Sequence, residues 1–78
     1  MIHARADCNR FQDPENKIGK DEPVMLFRAN DIHFISVLKF YERELDMSNN
    51  FEVADSVGNH IDLAIKWREK NGCKQPDL

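Results

Sequence analysis

The side chains able to do chemistry are few and scattered. Three histidines (His3, His33, His60) and two cysteines (Cys8, Cys73) are spread over the chain. A zinc site announces itself by paired ligands at short spacing, such as C-x-x-C, and no such pair exists here. Metal ligation is therefore not expected. Ser36, Ser48 and Ser56 lack the glycine-rich turn that exposes a nucleophilic serine, and Cys8 has no catalytic signature around it. Gly19, Gly58 and Gly72 form neither a P-loop nor a dinucleotide fingerprint. A catalytic pocket needs roughly 300 Å³ or more, which a short chain can hardly spare from its core. Neither an enzyme nor a cofactor is expected.

Two other groups of residues stand out. Glu22, Arg28, Asn30 and Asp31 flank the apolar run Pro23-Val24-Met25-Leu26-Phe27. Arg28 can fork onto Asp31, or onto Glu22 of a neighbouring strand, as a bidentate pair. The plain reading is an ion pair that fixes a corner of the fold. The functional reading makes Arg28 and Asp31 a polar anchor for a partner. A further option is an anionic-ligand site, with Arg28, Asn30 and His33 at a helix N-terminus, although the acidic Asp31 counts against it. The second group is aromatic: Phe40, Tyr41 and Trp67. Trp67 can cap the core, or it can be an exposed binding hot spot with Phe40 and Tyr41.

The elements that must position these residues follow from pattern. The apolar run is too short for a helix and suits a strand over 23–29, with Pro23 where a missing N–H matters least. Asn30-Asp31 are helix N-cap types. The first helix is expected over 31–47, with a stripe of Phe34, Leu38, Tyr41 and Leu45 widened by Ile32, Ile35 and Val37. Ser48-Asn49-Asn50 links it to a second helix over 50–71, and Asn49 with Glu52 resembles a capping box. There Ala54, Val57, Ile61, Ala64, Ile65 and Arg68 recur at helical spacing. Gly58 marks a close helix approach, Asp62 and Lys66 can pair, and Gly72 suits the helix stop. So short a link makes the helices antiparallel or sharply angled neighbours.

Residues 1–22 read as an arm and loop, with Ile2, Ala4 and Ala6 alternating as a short edge strand. Asp13-Pro14-Glu15-Asn16 reads as a type I turn, and 72–78 as a polar, frayed tail. The fold class is α+β: a short strand or hairpin on two antiparallel helices, in a single domain over 1–78. The strand pairs with the N-terminal segment or across a dimer, since a lone strand leaves its edges open.

At 78 residues, with 41% hydrophobic and 32% charged side chains, the core is small. Small cores commonly need a supplement such as a partner or self-association. The net charge of −3 offers nothing to a nucleic-acid backbone. No run of 18 apolar residues spans a membrane. Without a secretion signal the cysteines read as reduced thiols in the cytoplasm, although a Cys8–Cys73 disulfide is open.

The stretch Arg10-Phe11-Gln12-Asp13-Pro14, followed by Asp21-Glu22-Pro23-Val24-Met25-Leu26-Phe27-Arg28-Ala29-Asn30-Asp31, resembles small phage and prophage proteins of unknown function. In these a Gln-Asp-Pro turn precedes an Asp-Glu-Pro-apolar strand that ends in Arg and a polar-Asp helix start. The tail Lys74-Gln75-Pro76-Asp77 resembles theirs. Asn30 in place of Gln, Gly19-Lys20 before the acidic pair and the bulky Ile32-His33-Phe34 depart from the pattern. The resemblance implies a phage origin and carries no activity. The expected function is a small protein-interaction protein, such as an inhibitor or modulator of a host protein or defence system. The alternatives are an accessory homodimer and the anionic-ligand binder. Binding is expected to involve Arg28, Asp31, Phe40, Tyr41 and Trp67.

Overall fold

A computed structural model describes the backbone of residues 2–3 and all of residues 13–75. Its elements in order are β1 (Ile2–His3), β2 (Pro23–Val24), α1 (Phe34–Met47) and α2 (Phe51–Asn71). The fold is mostly a helix pair, and its β component is two residues per strand. The strands pair in parallel, Ile2 with Pro23 and His3 with Val24. The pairing with the N-terminal segment is as expected, but the hairpin is not. A hairpin is antiparallel, whereas parallel neighbours need a crossover connection.

The strand expected over 23–29 stops after Val24. Phe27 leaves the extended line to stack on Phe34, with ring centroids 5.2 Å apart. Immediately after it, Asp31 N–H donates to the Arg28 carbonyl and closes a turn. Met25 and Leu26 are left 72% and 55% exposed, so the apolar run does not enter the core.

Before β2, Asp13 organises the loop. Asn16 N–H donates to its carbonyl, and Lys17 and Ile18 N–H donate to its two carboxylate oxygens at 3.0 and 2.8 Å. Gly19 and Glu22 bond reciprocally, Glu22 N–H to the Gly19 carbonyl and Gly19 N–H to Glu22 Oε1.

α1 begins three residues later than expected. His33 is its N-cap and makes no side-chain cap bond. Asp31 instead builds an Asx turn one step upstream: its Oδ1 accepts His33 N–H at 2.8 Å, and its carbonyl accepts Phe34 N–H. The chain cannot coil earlier because residues 30–32 are held by the segment after α2. Lys74 N–H donates to the Asn30 carbonyl at 2.7 Å and Ile32 N–H to the Lys74 carbonyl at 2.9 Å, a parallel bridge. Residues 73–75, expected to fray, are thus tied to the body; residues 76–78 lie outside the described residues.

α1 ends in a Schellman motif. Asn50 N–H reaches the Leu45 carbonyl and Asn49 N–H the Asp46 carbonyl, with Asn49 at φ 62°. Asn49 therefore stops α1 rather than opening a capping box. The N-cap of α2 is Asn50, which makes no side-chain cap bond. Gly72 ends α2 at φ 73°, ψ −168°, a backbone region nearly confined to glycine.

The helices are antiparallel: Leu45 clusters with Ala54 and Val57 near the link, Gly58 lies against Glu42, and Arg68 reaches Asp31 at the far end. On α2 the core is Ala54, Val57, Ile61 and Ala64, with Arg68 next in the series. The spacing of 3, 4, 3 and 4 is that of a coiled-coil seam. On α1 it is Leu45, with Ile35 and Leu38 half-buried. Tyr41, expected in this stripe, is turned out, and the half-buried Glu42 takes its place over Gly58. A Cβ at position 58 would lie 2.7 Å from Glu42 Oε2, so glycine makes the room.

Candidate functional site

Of the expected polar anchor, only Asp31 is built into the fold. Arg28 is exposed and, among the described residues, pairs with neither Asp31 nor Glu22. Both carboxylates are engaged with backbone N–H groups instead. The arginine at this corner is Arg68. Its Nε donates to the Ala29 carbonyl at 2.8 Å, and its Nη2 donates to the Asp31 carbonyl. Arg68 thereby ties the last turns of α2 to the turn before α1. Its place in the α2 core stripe is the sequence signal for a long side chain that must reach past the core.

The anionic-ligand arrangement is not assembled. The start of α1 already carries the Asp31 carboxylate on His33 N–H, where an anion would sit. Among the described residues no group of three or more His, Cys, Asp and Glu could hold a metal ion. Cys73 is exposed and free; Cys8 lies outside the described residues. Among the described residues no helix is long and apolar enough to cross a membrane.

The helix pair has two sides of different character, although the exposed Phe51 and Ile65 lie on the groove side of α2. Each helical residue turns by about 100°, so the contact stripes define what lies on either side. One side is an open polar groove of about 550 Å³, lined by Lys39, Glu42, Asp55, Asn59 and Asp62 with Gly58 and Ile61 beneath. Among the described residues Asp62 forms no ion pair with Lys66.

The opposite side is apolar. Val37 and Tyr41 of α1 lie there with Val53, His60 and Trp67 of α2, while Phe40 and Leu63 flank its outer edges. Phe40, Tyr41 and Trp67 are 63%, 49% and 42% exposed; Tyr41 and Trp67 share this face, while Phe40 stands at its outer edge, turned away from α2. Val37, Val53 and Leu63 are exposed beside them. The signal for this second face is a second seam on α2: Val53, Ser56, His60, Leu63, Trp67 and Lys70, again spaced 3, 4, 3, 4 and 3. The exposed His60 is held by its own helix, Nδ1 donating to the Ser56 carbonyl at 3.1 Å.

Comparison with protein-family models, with curated proteins and with solved structures gave no match.

Proposed function

We propose that this chain is a small protein-interaction module that docks through the apolar face of its helix pair. The observation that supports the reading is the exposure of Tyr41 and Trp67 beside Val37 and Val53, with Phe40 exposed at the outer edge of the same side. Aromatic side chains of this kind dominate binding energy where they seat in a partner's pockets. The small core supports the same reading. Among the described residues only Leu45, Ala54, Val57, Ile61 and Ala64 are buried, and none of them has less than 2% exposure. A core of that size rarely supplies more than about 3–5 kcal/mol, so covering the second face also stabilises the fold. On the resemblance of residues 10–14 and 21–31 to small phage proteins, the setting is the cytoplasm of a host cell. The role there is modulation of a host protein.

The test is comparative capture. Tagged wild type is set beside Trp67→Ala, Phe40→Asp and a groove-side variant, Asp55→Lys. A stoichiometric partner retained by wild type and Asp55→Lys, and lost by both aromatic variants, bears the proposal out. Capture unaffected by Trp67→Ala and Phe40→Asp, but abolished by Asp55→Lys, moves the interface to the polar groove and refutes it.

A further inference from the structure

We infer that the partner seated on the apolar face is a second copy of this chain, with α2 packed antiparallel on α2 about a two-fold axis through His60. The inference rests on the reading of this face as a docking surface, and it puts a second copy there in place of a host protein.

Reversing α2 about His60 superposes three of the six seam positions, Val53, His60 and Trp67, on one another, and sets Leu63 opposite the partner's Val57. Val53 and Trp67 are each seven residues from His60, so Val53 meets the partner's Trp67 and His60 meets the partner's His60. The small Val53 leaves room for the large indole. The ends are complementary in charge. Glu52, in the first turn, and Lys70, in the last, lie on the same outer edge of α2, and reversal brings each acid towards a base of the other copy. A two-fold interface has this self-complementary character: if one residue meets another, the reverse contact follows.

The apolar area supplies about half of a standard interface. Aromatic side chains present 150–250 Å² each when fully bared, so the half-exposed Tyr41 and Trp67 offer roughly 200 Å². Val37, Val53 and Leu63 bring the total to roughly 450 Å² per copy. A standard interface takes about 800 Å² from each partner, and His60, Ser56 and Glu44 make up the polar remainder. The inner seam of α2 already packs on α1 in the same 3–4 spacing. The outer seam extends that packing by one more layer, to a four-helix assembly.

A residue on a two-fold axis meets its own copy, and this gives a position-specific test. In a Cys8→Ser, Cys73→Ser background of the full chain, His60→Cys is oxidised with oxidised glutathione beside Asn59→Cys and Asp55→Cys, which lie on the groove side. Masses are measured by light scattering near 100 μM. The expected result is twice the 9.1 kDa chain mass for wild type, with rapid cross-linking at position 60 alone. Leu63→Glu, an exposed position, is expected to weaken the dimer at least tenfold while far-UV circular dichroism keeps its helical signal. A monomer at this concentration overturns the inference, as does a dimer indifferent to Leu63→Glu and cross-linked no faster at 60 than at 55. A monomer that still captures another protein through Trp67 and Phe40 leaves the interaction reading standing, whereas a dimer formed through the groove overturns both.

Discussion

Replacing Arg68 by Met removes the guanidinium and keeps most of the apolar stem. Arg68 holds the Ala29 carbonyl at 2.8 Å through Nε and the Asp31 carbonyl through Nη2, from a half-buried position. A hydrogen bond from a charged donor contributes about 1.5–3 kcal/mol. Two such bonds, discounted for partial exposure and because the Asp31 carbonyl keeps Phe34 N–H, come to about 2 kcal/mol. In urea, with a slope near 1 kcal/mol/M for a small protein, the midpoint falls by about 2 M. The loss should be local as well as global. The turn at 28–32 is held to the body from two sides, by Arg68 and by the Lys74 bridge. Amide exchange at Ile32 and Lys74 should therefore accelerate more than exchange at Val57 or Ile61 in the core. Arg68→Lys should fall between, since an ammonium cannot span two carbonyls with the fork of a guanidinium. A midpoint for Arg68→Met within about 0.5 M of wild type, with exchange at Ile32 and Lys74 unchanged, would refute the view that Arg68 clamps this corner.

Other consequences are simpler to state. Gly58→Ala should be close to neutral by denaturation. The helix gains about 1 kcal/mol of propensity, and the Glu42 carboxylate, a flexible end, is displaced at similar cost. Gly58→Leu should cost about 1–3 kcal/mol, because a larger side chain forces the helices apart. Gly72→Ala should cost about 1–3 kcal/mol and lower Tm, since φ 73° with ψ −168° is strained for any residue with a Cβ. Asn49→Gly should leave stability unchanged or raise it slightly, because φ 62° at the end of α1 favours glycine over a side-chain-bearing residue.

The helix pair was legible because helical periodicity is a local and redundant signal. Many side chains on 34–47 and 51–71 report the same two stripes, so one misplaced residue does not hide an element. Its finer rotation was not legible. Tyr41 is the better core residue by composition, yet Glu42 faces α2, because the empty space at Gly58 accepts a carboxylate and its aliphatic stem. Arg28 and Asp31 looked like a pair because they are near neighbours with opposite charge. Each has a competing local bond or solvent, and the corner is closed from position 68 instead. Of the candidate residues, Phe40, Tyr41 and Trp67 are all exposed, Phe40 at the outer edge of α1, and among the described residues Arg28 forms no pair with Asp31.

Residue pattern alone specifies two amphipathic helices, the link that reverses the chain between them, the glycine that ends the second, and a surplus of apolar surface on a short chain. All of these depend on residues within a few turns of each other. Only the tertiary structure decided where the strand ends, where α1 begins and which arginine holds the corner. Those outcomes rest on Phe27 reaching Phe34, Lys74 bridging to Asn30 and Ile32, and Arg68 reaching Ala29 and Asp31. The Lys74 and Arg68 bonds span some forty residues and end on backbone groups; every residue but proline carries the same N–H and C=O, so side-chain patterns cannot encode which of them will be met.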